Sequence, residues 1–309
     1  MYKDIKAAVM GSINMDIILK ADVLPDVGEN VLGTDYGYAC GGKGANQAIG
    51  LSRLGAQVKM IGKVGADANG DALIKNLVKN GVDATPVAAD GSSTGLAAIL
   101  IDGQGRNRII VYECANSEID PALAEKNITD DLDVLLVQFE TKEEVVCAYV
   151  NEAIKKGVMT VVDCGPAKNF AVEKMQGMTI ITPNENETEA LTGIFPADEG
   201  SVLEASRILF DRCRPQYVVL KLGERGCSIY DGKELTVIKP YPTTVRDTTA
   251  AGDSFTAALA LEYKKSGDIF RACDMGNRAG SIAVSRVGAE NSMPTAAELM
   301  KIESEEKAL

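Results

Sequence analysis

The sequence predicts an α/β fold in three layers: a mostly parallel central sheet covered by helices on both faces, with a small β-sheet projecting from it as a lid. Three observations carry this. Six short apolar runs, at 6–11, 58–62, 133–137, 158–162, 178–182 and 217–221, have the length and unbroken hydrophobicity of strands buried on both faces. Helical patterns lie between most of them, the order that a parallel sheet with crossover helices requires. Two stretches, about 16–40 and 84–113, instead alternate apolar and polar residues in the manner of β-hairpins.

In chain order, the first strand (6–11) runs into Ser12-Ile13-Asn14-Met15-Asp16 and then into the first lid stretch. A helix over 44–55 closes at Gly55, and after the strand at 58–62 a helix over 70–80 closes at Gly81, since glycine tolerates the left-handed residue that ends many helices. The second lid stretch turns at Asp102-Gly103-Gln104-Gly105. The strand at 133–137 is followed by a helix over 142–156 ending at Gly157, then by strands at 158–162 and 178–182. Helices over 185–192 and 200–211, the strand at 217–221, and helices over 251–265 and 269–286 complete the chain. With no repeat and no linker, residues 1–309 are expected to form one domain.

Composition narrows the function. Apolar residues are 46% and charged residues 25%, which sets aside disorder, collagen and a disulfide scaffold and leaves a folded, soluble protein. Lys and Arg number 32 against 44 Asp and Glu, a net −12 that opposes general binding to nucleic acid or to an anionic membrane. There is no histidine, so Ser-His-Asp and Cys-His nucleophile systems and imidazole zinc sites are excluded. Acid-base work falls to carboxylates, Lys, Tyr or Cys. Seven cysteines (40, 114, 147, 164, 213, 227, 273) include no CxxC pair and read as reduced thiols. Asn14 and Asp16 interrupt the N-terminal apolar stretch, and no run is long enough to span a membrane, so the expected location is the cytoplasm.

Three motifs mislead. Gly37 to Lys43 fits the opening of a P-loop, but Gly44 stands where a Mg²⁺-binding Ser or Thr is needed. Gly91-Ser92-Ser93-Thr94-Gly95 has hydrolase-elbow spacing without a histidine to complete a triad. No G-x-G-x-x-G opens the first βα unit, which counts against a dinucleotide-binding oxidoreductase.

Three segments carry chemistry. Asp247-Thr248-Thr249-Ala250-Ala251-Gly252-Asp253 precedes an apolar helical pattern; its small residues leave backbone N–H groups bare at a helix N-terminus, where phosphate oxygens are favoured. Asp253 in the first turn is placed to take a proton from an attacking hydroxyl, although by residue type alone it reads equally as an acidic residue suited to a helix start. Cys40-Gly41-Gly42-Lys43-Gly44-Ala45-Asn46-Gln47 also enters a helix, with Gly42 permitting close approach and Lys43 and Asn46 offering polar groups. Asn14 and Asp16 point the same way from an extended chain at the C-terminal end of the first strand, as joint polyol ligands or as loop caps.

These segments resemble the ribokinase group of the phosphofructokinase-B-type carbohydrate kinases. The resemblance runs through SINMD, CGGKGANQA, ITPNENETE at 181–189, KLGERG at 221–226, DTTAAGD and the tail IAVSRVGAENSMP at 282–294. It implies the ribokinase-like fold and an ATP-dependent sugar kinase, in the first instance one that phosphorylates the 5-hydroxyl of D-ribose. By that resemblance Asp253 is the catalytic base, and Ala250, Ala251 and Gly252 form an anion hole for the γ-phosphate. Asn14, Asp16, Gly42, Lys43, Asn46 and Glu140 hold the sugar. Asn184 and Glu187 organise Mg²⁺ and phosphate through water, and Lys221, Gly223, Gly226 and Asn277 hold ATP. Asp247, Thr249, Ala283, Arg286, Gly288 and Ser292 hold an activating K⁺ beside the anion hole, and the lid sheet joins two copies as a homodimer.

Two departures stand out. Lys221 replaces the Thr common in ribokinases, and Cys114-Ala115-Asn116 replaces their Gly-Ala-Asn. A kinase of the same fold acting on deoxyribose, another pentose, a ketohexose or a nucleoside is the rival expectation, with Met15, Ala98, Ile110 and Cys114 as the discriminating positions. A noncatalytic sugar- or nucleotide-binding protein is the rival from another class, against which an intact Asp253 stands.

Overall fold

The computed structural model describes residues 1–167 and 170–306. Its first strand, β1 (Lys6–Met10), leads into β2 (Asn14–Lys20) and β3 (Asp35–Gly41), then helix α1 (Lys43–Arg53), β4 (Gln57–Gly65), α2 (Ala68–Lys79) and the short β5 (Val82–Asp83) and β6 (Val87–Gly91). There follow β7 (Gly95–Ile101), β8 (Asn107–Tyr112), α3 (Ala124–Asn127), β9 (Val134–Gln138), α4 (Glu143–Lys155), β10 (Met159–Asp163) and β11 (Ile180–Thr182). The last part holds α5 (Glu185–Thr192), α6 (Glu199–Cys213), β12 (Tyr217–Lys221), β13 (Cys227–Tyr230), β14 (Leu235–Ile238), α7 (Ala251–Ser266), α8 (Ile269–Val284) and α9 (Ala296–Glu306).

The main sheet runs β14-β13-β12-β11-β10-β9-β1-β4-β5, with β6 also on β4. It is parallel from β12 to β5 and antiparallel at the β12-β13-β14 edge. Its strands are apolar without alternation because neighbouring residues enter different cores. Ala7, Val9, Val134, Leu136 and Val219 face one core with α1, α7 and α8. Ala8, Met10, Leu135, Val137, Val218 and Leu220 face another with α4 and α6. Each of these side chains is at most 1% exposed, which is what a two-sided sheet demands.

The second sheet has four strands in the order β3-β2-β7-β8. Strands β2 and β7 are parallel, so the two hairpin-like stretches, expected to form one small sheet together, interlock around a central pair. The expected second lid segment, 84–113, is corrected at its start: Val87–Gly91 pairs with β4 in the main sheet, and only the chain from Gly95 enters the small one. The whole 84–113 stretch alternates, and alternation alone does not say which edge a strand joins.

Other elements lie outside the sequence reading. The β13-β14 hairpin turns at Asp231-Gly232, with Gly232 at φ 90°, a dipeptide that signals such a turn, but its strands of four residues are too short to show a period. Helix α9 also follows the last expected element.

Candidate active site

Strands β1, β9, β10, β11 and β12 all run parallel, so their C-terminal ends converge on one edge, the place where open α/β sheets bind ligands. Asn184 and Lys221 are bridged there, Asp163 ends β10 and Glu140 follows β9. The N-termini of α1 and α7 point into the same edge, carrying Lys43 and Asn46 from one and Gly252 and Asp253 from the other.

Asp253 is 5% exposed, and both carboxylate oxygens are occupied: Asn46 Nδ2 donates to Oδ2 and Gln47 Nε2 to Oδ1, each at 3.1 Å. Gln47 is itself fixed, since its Oε1 accepts from Gln138 Nε2 at 2.6 Å. Burial pushes the Asp253 carboxyl above its ordinary range, with Lys43 pulling it back. Beside it, Ala250 adopts a left-handed φ of 59° that turns the chain into α7, and no side chain caps that helix. Ala251 N donates to Thr248 O at 3.3 Å, and the N–H groups of Gly252 and Asp253 are left for a ligand. They lie in a cavity of about 370 Å³ with Lys43, Asn184, Lys221, Gly223 and Asp253.

Beneath this cavity sits Asp163, fully buried. Its Oδ2 accepts from Lys221 Nζ at 2.9 Å, Thr256 Oγ1 at 3.0 Å and Gln47 Nε2 at 3.2 Å; its Oδ1 accepts from Gly165 N at 3.2 Å and lies 3.8 Å from Lys43 Nζ. Burial opposes its charge, but Lys221 and Lys43 outweigh it and hold the carboxyl below the usual range. For Lys43, burial is likewise overcome by Asp163, Asp253, Glu187 and Glu140, so its ammonium is held firmly charged.

Among the positions expected to hold the sugar, Glu140 accepts from Ser12 Oγ through a very short contact and from Lys43 N at 3.1 Å, joining the loop after β1 to the start of α1. Asn14 Oδ1 accepts from Asn116 Nδ2 at 2.7 Å, and Asn116 Oδ1 accepts from Ile13 N at 2.9 Å. Asp16 is pushed up to about 7 by burial and by the neighbouring Glu140. Gly42 has φ 91°, and a Cβ there would stand 2.8 Å from Asn14 N and Ser12 O, so this position admits only glycine.

On the other side of Gly252 a cavity of about 470 Å³ is walled by Tyr241, Val245, Phe255, Asn277 and Val284, with Gly223 and Gly226 at its rim. Asn277 Nδ2 donates to Lys239 O at 3.1 Å, which ties α8 to the wall. Asn184 and Glu187 cap α5 reciprocally, Asn184 N to Glu187 Oε2 at 2.8 Å and Glu187 N to Asn184 Oδ1 at 2.9 Å. Asp247 accepts from Thr249 N at 2.9 Å and from Gly288 N at 2.8 Å, binding the loop before the anion hole to the tail. Ala283 and Arg286 flank the end of α8, while Ser292 lies further on; Arg286 pairs with Glu298 at 2.5 Å and Ser292 donates to Ala289 O at 2.7 Å. Backbone carbonyls are thus the donors those three positions have to spare.

The structure brings the sugar, anion-hole and nucleotide positions expected from sequence together along one edge; of the expected cation positions it joins Asp247, Thr249 and Gly288, while Ser292 is bonded only to Ala289 among the described residues. Asp163, Gln47 and Asn116 were missed as site residues. Gln47 and Asn116 stood inside quoted motifs, and the signal for Asp163 was a carboxylate at the end of a buried strand.

A family model described as pfkB family carbohydrate kinase matches residues 4–296. The chain is 36% identical over 299 residues to a ribokinase of Bacillus subtilis, covering 95% of this chain and 98% of that one. A ribokinase structure from Thermotoga maritima superposes with a TM-score of 0.87 at 31% identity, covering 97% and 99%. The structure of an Arabidopsis thaliana ribokinase complexed with ribose and ATP superposes at 0.84 and 27% identity, covering 96% and 97%.

Proposed function

Since the chain belongs to the pfkB family of carbohydrate kinases and is an ATP-dependent sugar kinase, we propose that it is a ribokinase that transfers the γ-phosphate of ATP to the 5-hydroxyl of D-ribose. The observation that carries this reading is Asp253, buried and gripped on both oxygens by Asn46 and Gln47 beside the uncapped start of α7. Asn14, Asp16, Gly42, Lys43, Asn46 and Glu140 orient ribose in this reading, with the 5-hydroxyl at Asp253. Asp253 takes the hydroxyl proton as the ribose oxygen bonds to the γ-phosphorus and the bond from that phosphorus to the bridging oxygen of ADP breaks. The N–H groups of Gly252 and Asp253 receive the charge on the equatorial oxygens. Such transfer needs positioning and charge neutralisation above all, so a chain without histidine is fully equipped.

The nucleotide occupies the cavity of Asn277, Gly223 and Gly226, with Lys221 towards its phosphates. Asn184 and Glu187 suit Mg²⁺, which ordinarily takes one or two protein oxygens and leaves the rest to water and phosphate. Bound there, Mg²⁺ would offset phosphate charge. Asp247 and Thr249 with the carbonyls of Ala283, Arg286, Gly288 and Ser292 offer the oxygen set of a hard monovalent cation, K⁺ in this reading, and the Asp247–Gly288 bond puts that set one short loop from the anion hole. Closure of the small sheet over the sugar excludes water and suppresses idle ATP hydrolysis. Its exposed Leu19, Tyr36, Tyr38 and Tyr112, which share one face of the sheet, pair two copies as a homodimer. No helix among the described residues is long and apolar enough to cross a membrane; the reduced thiols favour the cytoplasm as the place of action.

Asp253→Asn tests the assignment. Turnover is expected to fall by about 10³-fold or more while ribose binding, followed by calorimetry, persists, because the amide keeps the shape and loses the base. Turnover within tenfold of the parent would remove Asp253 from that role.

A further inference from the structure

The two cavities of the site meet at Lys221, Gly223, Thr248 and Gly252, and among the described residues Lys221 is the one charged side chain that lines both. A Cβ added to Gly252 would lie 3.6 Å from Lys221 Nζ, so the ammonium stands directly against the first turn of α7, on the path from the nucleoside cavity to Asp253. The residue itself is only 9% exposed.

The groups around Lys43 make a cation at that point valuable. Two lysines, Lys43 and Lys221, face four carboxylates, Asp163, Asp253, Glu187 and Glu140, a count of +2 against −4. Bringing the phosphates of ATP into such surroundings is repulsive unless the cations are held where the charge arrives. Asp163 does the holding: it binds Lys221 at 2.9 Å, reaches towards Lys43 at 3.8 Å, takes Thr256 Oγ1 from the body of α7, and shares Gln47 Nε2 with Asp253. One buried carboxylate therefore fixes β10, β12, α1 and α7 relative to each other at the point of transfer.

We propose that Lys221 is a further catalytic residue whose ammonium contacts the γ-phosphate in transit, and that Asp163 is its positioning residue. This rests on the kinase reading above and extends it to the charge balance of the transfer. A side chain is used here in addition to backbone donors, because it stands at the junction where the terminal phosphate must pass from one cavity to the other.

The test compares Lys221→Met, Asp163→Asn and the double variant, using the sugar that the parent turns over best. Lys221→Met is expected to lower kcat by about 10²–10³-fold, the usual loss on removing one donor from a developing charge. The KM for sugar should stay within threefold. An imido-bridged, non-hydrolysable ATP analogue should lose at least tenfold more affinity than ADP. Asp163→Asn should lower kcat comparably, and the double variant should be no worse than Lys221→Met alone, since the two act as one unit. The double variant removes both members of the 2.9 Å pair, so it reports even if Asp163→Asn, which strands the Lys221 ammonium, fails to fold. Equal losses for ADP and the analogue, a kcat for Lys221→Met within threefold of the parent, or multiplying effects in the double variant would each overturn the proposal. The analogue-to-ADP ratio needs no sugar, so it judges the lysine even if the parent proves inactive on ribose, a result that would count against ribose as the substrate and leave the role of Lys221 to be judged by that ratio.

Discussion

The two ends of the site are built differently. The phosphoryl end is set between two layers: Asp163, Gln47 and Asp253 are at most 5% exposed, and they are bound to one another and to Lys221 across β10, α1, α7 and β12. The sugar end rests partly on the four-stranded sheet, where every residue of β8 is exposed and Tyr36 and Tyr38 are 71% and 64% exposed. In the proposed reading this difference divides labour: the core fixes the transfer geometry, while the grip on the sugar rests on the more exposed sheet. Changes at the first end should strike kcat, and changes at the second should strike KM, sugar preference and assembly.

The sharpest way to break this division is Asp16, because it belongs to the second end yet is largely buried. Asp16→Asn should raise the KM for ribose about 10²-fold, as loss of a charged hydrogen-bond partner implies, with a smaller change in kcat. The residue also costs stability. Its carboxyl is pushed up to about 7 in the fold against 3.8 when free, so between those values the native state retains a proton that the unfolded chain has released, and stability declines as pH rises from about 4 to about 7 and levels off above. Asp16→Asn should therefore raise Tm more at pH 8 than at pH 5, by up to about 3 kcal/mol in stability terms. The same elevation should make kcat/KM fall as pH drops through 7. A pH-independent Tm difference would show that Asp16 is not held in this way.

Next in size is Asn116, which joins Asn14 to the backbone of Ile13. Asn116→Ala leaves buried partners unpaired and should raise the KM for ribose about tenfold, with kcat within threefold. An equal fall in kcat alone would place Asn116 with the phosphoryl end. Replacing K⁺ by Na⁺ should slow turnover several-fold without changing the KM for sugar, measured with contaminating K⁺ removed; equal rates would detach the Asp247 cluster from catalysis. The smallest effect belongs to the lid face that carries Tyr36 and Tyr38: Tyr36→Lys with Tyr38→Lys should turn a dimer into a monomer in sedimentation and leave Tm within a few degrees. An unaltered mass would move the dimer contact elsewhere.

Much of this was legible in the sequence, for reasons that differ between the two ends. Strands buried on both faces announce themselves by unbroken apolar runs, and α1 and α7 by glycine and small residues ahead of an apolar helix. The lid was seen as alternation, but alternation does not choose a partner, so Val87–Gly91 was assigned to the wrong sheet. Asp163 stands as a carboxylate at the end of a buried strand, but its role does not follow from that position, because it comes from Lys221, Gln47 and Thr256, residues 58, 116 and 93 positions away. Asn116 was read only as part of a variant motif, and its bond to Asn14 spans 102 positions.

The central claim is most directly tested by kcat/KM for ADP release with Mg-ATP and K⁺ across D-ribose, 2-deoxyribose, D-arabinose, fructose, tagatose and common nucleosides. The account predicts ribose as the best substrate by at least tenfold. A clear preference for another of these would contradict ribose as the substrate and place the error in the sugar end, and no turnover with any of them would contradict the kinase reading itself.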